Sequence, residues 1–311
     1  MLEKQSNVKA WLYLAPAMLL LSVFTFYPLF NAFFLAFLRD YEFLLGSARG
    51  FTFLGNFINV INKPDFGIAM KNTAVITFVS VPIAVIVALM ISVALNSIKK
   101  FQGFLQTVFF LPYVTNAIAI GMAFAFIFHS DYGLLNTMLG WVGIDPINWI
   151  NLRQAGNADT SWIRAMFALL VYTIWGGLAF KIMVFLSGLQ SIDKQYYDAA
   201  RIDATPKRRV FSKITVPLLS PMIAYITITS FIGAFKAYRT IIGMFGESLR
   251  PPGALSKDSL ITIVGLVYDS LAHADATGAI SEAAAASIIL FLIILAFTLI
   301  QMQVSKRRVH F

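Results

Sequence analysis

The chain has 311 residues, 59% of them hydrophobic and 13% charged, with a net charge of +9 and no cysteine. Soluble chains carry roughly a quarter charged residues, so this composition, with a mean hydropathy of +0.76, excludes a water-borne globule and makes lipid the solvent. The missing thiols exclude disulfides and cysteine-ligated metal. The positive charge lies in short segments beside apolar runs, a membrane pattern rather than a nucleic-acid one.

A hydrocarbon core takes roughly 20 apolar residues of helix to cross. Six stretches qualify, at about 10–38, 72–96, 105–129, 165–190, 219–245 and 284–304, and none alternates as a barrel strand would. The predicted fold class is therefore an all-α membrane protein with six transmembrane helices, residues 1–311 forming a single transmembrane domain. The first stretch outruns a signal-peptide core and continues through Phe37 and Leu38 without a cleavage site, so it reads as a span.

Lys and Arg assign the two sides. The N-terminus (Lys4, Lys9), Lys99 and Lys100, the loop 191–217 and the C-terminus (Lys306, Arg307, Arg308) hold 13 of them in about 50 residues. Loops 39–71, 130–164 and 246–283 hold eight in about 105. The denser set, including both termini, is expected in the cytoplasm. The opposite loops are punctuated by Pro64, Pro146, Pro251 and Pro252. They carry eleven of the fifteen acids, among them Asp131, Asp145, Glu247, Asp258 and Asp275. That distribution fits either a solvated rim or the docking of an external partner.

Charge inside a span is costly and points to function. Lys181 lies in the fourth span, in line with Thr173 and Gly177, and is expected to find a buried partner. In the fifth span Tyr225, Thr229, Gly233, Lys236 and Thr240 recur every three or four residues with Arg239 beside them, one polar stripe on an apolar helix. Tyr225, Thr229, Lys236, Arg239 and Lys181 are thus candidates for a translocation pathway. Lys236 and Arg239 also admit snorkelling to headgroups. Cations on the path would suit an acidic substrate.

Between the fourth and fifth spans the segment 191–217 is polar but not linker-like. Ser191 is placed to cap a short helix running through Asp198 and Ala200. Asp203, Ala204 and Thr205 supply a turn, and Thr205-Pro206 opens a second helix. Pro217 and Pro221 bracket the approach to the next span. A helix-turn-helix results, with carboxylates on one side and Lys207, Arg208, Arg209 and Lys213 on the other.

The run Asp198-Ala199-Ala200-x-x-Asp203-Ala204, with Phe211, Ile214 and Pro217 after it, resembles the EAA loop of binding-protein-dependent ABC importer permeases. Leu14-Ala15-Pro16, Tyr27-Pro28, Leu111-Pro112, Gly133-Leu134-Leu135-Asn136, Trp175, Leu189-Gln190-Ser191-Ile192, Tyr268 and the stretch from Gly278 to Ala286 are similar to the maltose/multiple-sugar subclass. The resemblance implies a type I importer permease fold in a bacterial inner membrane. It implies a coupling helix, seated by Asp198, Ala199, Ala200, Asp203 and Ala204 with Lys207, Arg208 and Arg209, in a groove of a cytoplasmic ATPase. The implied partners are a second homologous permease, two ATP-binding subunits and an extracytoplasmic solute-binding protein. The implied cargo is a sugar or oligosaccharide. Two residues depart from the pattern: Asp198 replaces the usual glutamate and Ala204 the usual glycine. Alanine at 204 requires a right-handed turn or carries strain.

No phosphate loop occurs, and the dipeptide Gly-Lys is absent, so no cofactor is expected in this chain and ATP with Mg falls to the partner ATPase. His129, His273 and His310 lack ligand spacing, and no metal is expected. No hydrolase or metalloprotease motif is present. The competing class is an ion-coupled secondary transporter, which needs intramembrane acids, and the span interiors contain none.

Overall fold

The computed structural model describes residues 7–98, 100–150, 162–247, 249 and 259–306. Lys4, Lys99, Pro251, Pro252, Asp258, Arg307, Arg308 and His310 lie outside the described residues. The elements run α1 (Val8–Leu35), a hairpin of β1 (Leu38–Arg39) and β2 (Gly50–Phe51), α2 (Gly55–Asn62) and α3 (Pro64–Ser97). Next come α4 (Gln102–Val114), α5 (Ala117–Ile127), α6 (Leu134–Trp141) and α7 (Trp162–Ser191). The chain continues with α8 (Lys194–Ile202), α9 (Lys207–Leu218), α10 (Ser220–Phe235), α11 (Arg239–Phe245), α12 (Ile263–Ala272) and α13 (Ala279–Lys306).

Four of these, α1, α3, α7 and α13, are long and apolar enough to cross a membrane, and the pairs α4–α5 and α9–α10 make up to six if each bent pair is one span. The long helices are apolar all round, as lipid or a large core requires. Helix α3 has 34 residues. At 1.5 Å per residue that is roughly 51 Å, more than a bilayer core, and it starts two turns before residue 72. Pro64 opens it at a position that needs no amide donor, and Lys63 before it is extended (ψ 132°).

Two expected spans are not continuous helices. The stretch 105–129 breaks between α4 and α5 with a 99° bend. Pro112 withdraws a donor from the last turn of α4, and the Thr115 hydroxyl donates to the Leu111 carbonyl at 2.9 Å. Asn116, extended at ψ 124°, then caps α5 by accepting from the amides of Ile118 (2.8 Å) and Ala119 (3.4 Å). The stretch 219–245 stops at Phe235 and restarts at Arg239. Tight bonds from the Lys236 amide to Gly233 and from Ala237 to Ala234 end α10, and the Thr262 hydroxyl takes up the Ala237 carbonyl at 2.7 Å.

The chain divides into two compact units. The first comprises residues 1–63 and 266–291. Phe37 packs against the rings of Phe51, Phe53 and Phe57, and the buried Asn56 amide donates to the carbonyls of Ala36 and Leu38, both at 2.8 Å. Lys63 pairs with Glu282 on the first turn of α13, and Gly278, in a left-handed conformation (φ +80°), donates to Tyr41. Helix α1 buries none of its residues, and its ring contact is Phe33 on Phe291.

The second unit comprises residues 64–265 and 292–311. Helix α3 packs along α7 and α10, with Ser92 donating to its own helix at Ala88 and, at 3.1 Å, to Ile182 of α7. Phe78, Phe231, Phe235 and Phe297 form one aromatic cluster. Helix α5 crosses α11 at Gly121 and Gly243, where a methyl group on Gly121 would stand 2.6 Å from the Gly243 backbone. Residues 259–262 run without helix or strand and are wholly buried. Such backbone needs protein partners, and Asn72 supplies them. Its amide donates to the Ser259 and Ile261 carbonyls, both at 2.8 Å, while its oxygen accepts from Trp162 Nε1 at 2.6 Å.

Candidate functional site

The segment 191–217 forms the expected helix-turn-helix, with a shifted start. Ser191 is not the cap: it ends α7, its hydroxyl bonded back to Gly188 at 2.8 Å. Asp193 caps α8 instead, extended at ψ 132° and accepting from the Gln195 amide at 2.9 Å. A carboxylate at a helix N-terminus satisfies a free amide and complements the helix dipole. Both residues are capping types two apart, and Asp193 is the one that caps because Ser191 is still in the last turn of α7.

At the far end Asp203 closes α8, and its successor Ala204 is left-handed at φ +49°. The Thr205 amide donates to Ala200 at 2.9 Å and the Ala204 amide to Arg201 at 3.0 Å. These two bonds are a Schellman C-cap, in which the left-handed residue is normally glycine. Of the two outcomes open to alanine, the structure takes the strained one. Pro206 stays extended (ψ 143°) and acts as the cap of α9, so that helix begins at Lys207 rather than at the proline.

Helix α8 touches the rest of the molecule on one narrow side. Ala200 is buried, Tyr197 shares a hydroxyl contact with the buried Thr215 at 3.3 Å, and the other faces are open. Asp198 pairs with Arg201 at 3.4 Å, an exposed i,i+3 pair. Tyr196 is 53% exposed and Ile202 86% exposed. A concavity of ≈ 520 Å³ lies against this helix, lined by Gln195, Tyr196, Ala199, Ala200, Asp203 and Ile214. The expected residues Ala199, Ala200 and Asp203 thus gather at one recess, while Lys207, Arg208 and Arg209 are exposed on α9. Ile214 was read in the sequence as part of the loop pattern, whereas Tyr196 and Gln195 were not, although Tyr196 and Ala200 share a helix face four residues apart.

The membrane cations are arranged differently from the expected stripe. Tyr225 and Thr229 do share a face of α10, the Thr229 hydroxyl bonding to the Tyr225 carbonyl at 2.8 Å. Lys236 has left the helix (φ −94°, ψ 19°), and Arg239 begins α11 beyond the non-helical Tyr238 (φ −149°, ψ −51°). The five residues therefore do not make one helical stripe, because the break at 236–238 turns the chain. Both cations are exposed. The partner found by Lys181 is its own helix: Nζ donates to the Gly177 carbonyl at 2.8 Å, in the space left by the absent glycine side chain. No group of acids and histidines able to hold a metal occurs among the described residues.

Residues 80–310 match the family described as binding-protein-dependent transport system inner membrane component. The chain is 30% identical over 314 residues to the lactose transport system permease protein LacF of Rhizobium radiobacter, covering 99% of this chain and 97% of that one. It is 30% identical over 298 residues to the arabinooligosaccharides transport system permease protein AraP of Bacillus subtilis, covering 95% and 88%. In three dimensions it matches a chain from the crystal structure of a bacterial ABC transporter involved in the import of the acidic polysaccharide alginate. The TM-score is 0.76 at 20% identity, over 97% of this chain and 96% of that one, which is a likeness of fold.

Proposed function

The chain belongs to the family of binding-protein-dependent transport system inner membrane components and is an ABC importer permease, and from that premise we propose what it carries and how it is driven. Its cargo is a sugar or oligosaccharide, taken inward by alternating access through a permease built from the whole chain, 1–311. The names of its relatives support the sugar class. The exposed Lys236 and Arg239, beside the break that ends α10, favour an acidic member of it. Both termini and the loop 191–217 face the cytoplasm, in keeping with the density of Lys and Arg.

Helix α8 is the coupling helix, with Asp198, Ala199, Ala200, Asp203 and Ala204 seating it and Lys207, Arg208 and Arg209 beside it. The observation that carries this reading is how little of α8 is used by its own molecule. Nine residues are too few for a helix to stand alone in water, yet its Tyr196 and Ile202 project outward without cover. An isoleucine that exposed on a soluble face fits a protein groove. The chain has no phosphate loop, so ATP and Mg belong to that partner, of which two copies would serve a pair of permeases. Helix α1, which buries none of its residues, is consistent with a second permease alongside. The family description itself supports an extracytoplasmic solute-binding protein.

Reversing the charge at Asp198 tests this directly. In Asp198→Lys the side chain repels Arg201 instead of pairing with it and faces the partner with the wrong sign. Uptake should fall roughly tenfold or more, the equivalent of about 1.4 kcal/mol of coupling, at unchanged membrane level. Normal uptake, or crosslinks from 198–209 that reach no ATP-binding protein, would remove the coupling role.

A further inference from the structure

Helix α6 turns mainly apolar side chains to its surroundings, with Thr137 the one polar side chain exposed on it. Leu134, Met138, Trp141 and Val142 are 51, 50, 78 and 77% exposed and form one stripe by helical spacing. Asn136 turns inward, and the exposed Thr137 bonds its hydroxyl to its own helix. The buried Asn136 donates to the carbonyls of Ser130 and Ile147 and accepts from the Ile147 amide and Trp149 Nε1. The Thr137 hydroxyl donates to Gly133 at 3.1 Å. From Tyr132 to Ile144 there is no charged residue, and Asp131 and Asp145 bound the stretch. An apolar patch of this kind on a surface marks a contact.

We propose that α6 rests in the plane of the membrane interface at the outer leaflet, its stripe turned toward the acyl chains. Three observations select lipid as the occupant. A water-soluble protein that docks reversibly meets a polar rim with hydrogen bonds, whereas this stripe presents the indole of Trp141 and, at its edge, a Thr137 hydroxyl whose proton is already given to Gly133. Charge is missing over the span that would lie in hydrocarbon and returns at the two aspartates, where the chain would re-enter water. The apolar surface is also continuous with a membrane-crossing element: the Tyr132 ring lies 5.6 Å from Phe126, which is 58% exposed on the last turn of α5. Trp and Tyr at such a junction are the residues that settle at headgroup level. The choice of leaflet follows the orientation proposed above, whereas the lipid contact does not depend on it.

The chain has no cysteine, so Met138→Cys, Val142→Cys and Asp145→Cys each give a single labelling site in the full chain. Spin labels at these positions, in phosphatidylcholine nanodiscs, report depth from the relative access of oxygen and a water-soluble nickel chelate. Labels at 138 and 142 should lie roughly 5–10 Å below the phosphate plane, and the label at 145 should lie in water. Labels at 138 and 142 as open to the chelate as that at 145 would overturn the proposal. So would shielding at 138 and 142 that arises only when the solute-binding protein is added, since the stripe would then be a protein contact. Either site decides the matter if the other variant does not fold.

Discussion

At the residue scale, Ala204 carries the most information. A left-handed alanine costs roughly 1–2 kcal/mol relative to a right-handed one, and glycine there removes most of it at an unfolded-state entropy cost of about 0.5–1 kcal/mol. Ala204→Gly should therefore stabilise the C-terminus of α8 by at most about 1 kcal/mol. Ala204→Val, β-branched at a positive φ, should loosen it by more. Hydrogen exchange at the Thr205 amide, which closes the Schellman bond to Ala200, reads both: slower in the glycine variant and faster in the valine one. This position was legible in the sequence as a departure from the pattern, and the strain was one of two outcomes foreseen. The cap at Asp193 was not, because two capping residues stand two apart and periodicity does not rank them.

At the element scale, hydropathy located each apolar stretch and was blind to its breaks. A window average does not register that Pro112 and Asn116 together end one helix and begin another, nor that Gly233 and Lys236 close a turn. Tertiary contacts then hold the broken pieces in place: Thr262 on the Ala237 carbonyl, and the crossing of α5 over α11. That crossing has room for hydrogen alone, since a methyl group on Gly121 would overlap the Gly243 backbone. Backbone cannot rotate aside as a side chain can. Gly121→Ala should push α5 off α11 at a cost of roughly 1–3 kcal/mol, read as a lower thermal midpoint of the purified protein. An unchanged midpoint would mean that the two helices do not meet so closely.

At the scale of the whole molecule, the apolar stretches that make four spans, or six with each bent pair as one, were legible because lipid imposes a length rule that acts on every residue. The pathway was less so. Lys181, Lys236 and Arg239 were visible as charges in apolar runs, but their arrangement depends on a turn that the spacing conceals. If Lys236 and Arg239 meet an acidic sugar, the double variant Lys236→Ala/Arg239→Ala should lose uptake of that sugar and keep uptake of a neutral oligosaccharide. Equal retention of both would assign the two cations to headgroups. The Asn72 clamp, absent from the sequence reading, bears on how the chain is made. Its amide joins carbonyls 187 and 189 residues further on. With translation at roughly 5–20 residues per second, that amide waits about 10–40 s after synthesis for its acceptors to be made. The second unit therefore cannot close this clamp until most of the chain has been made.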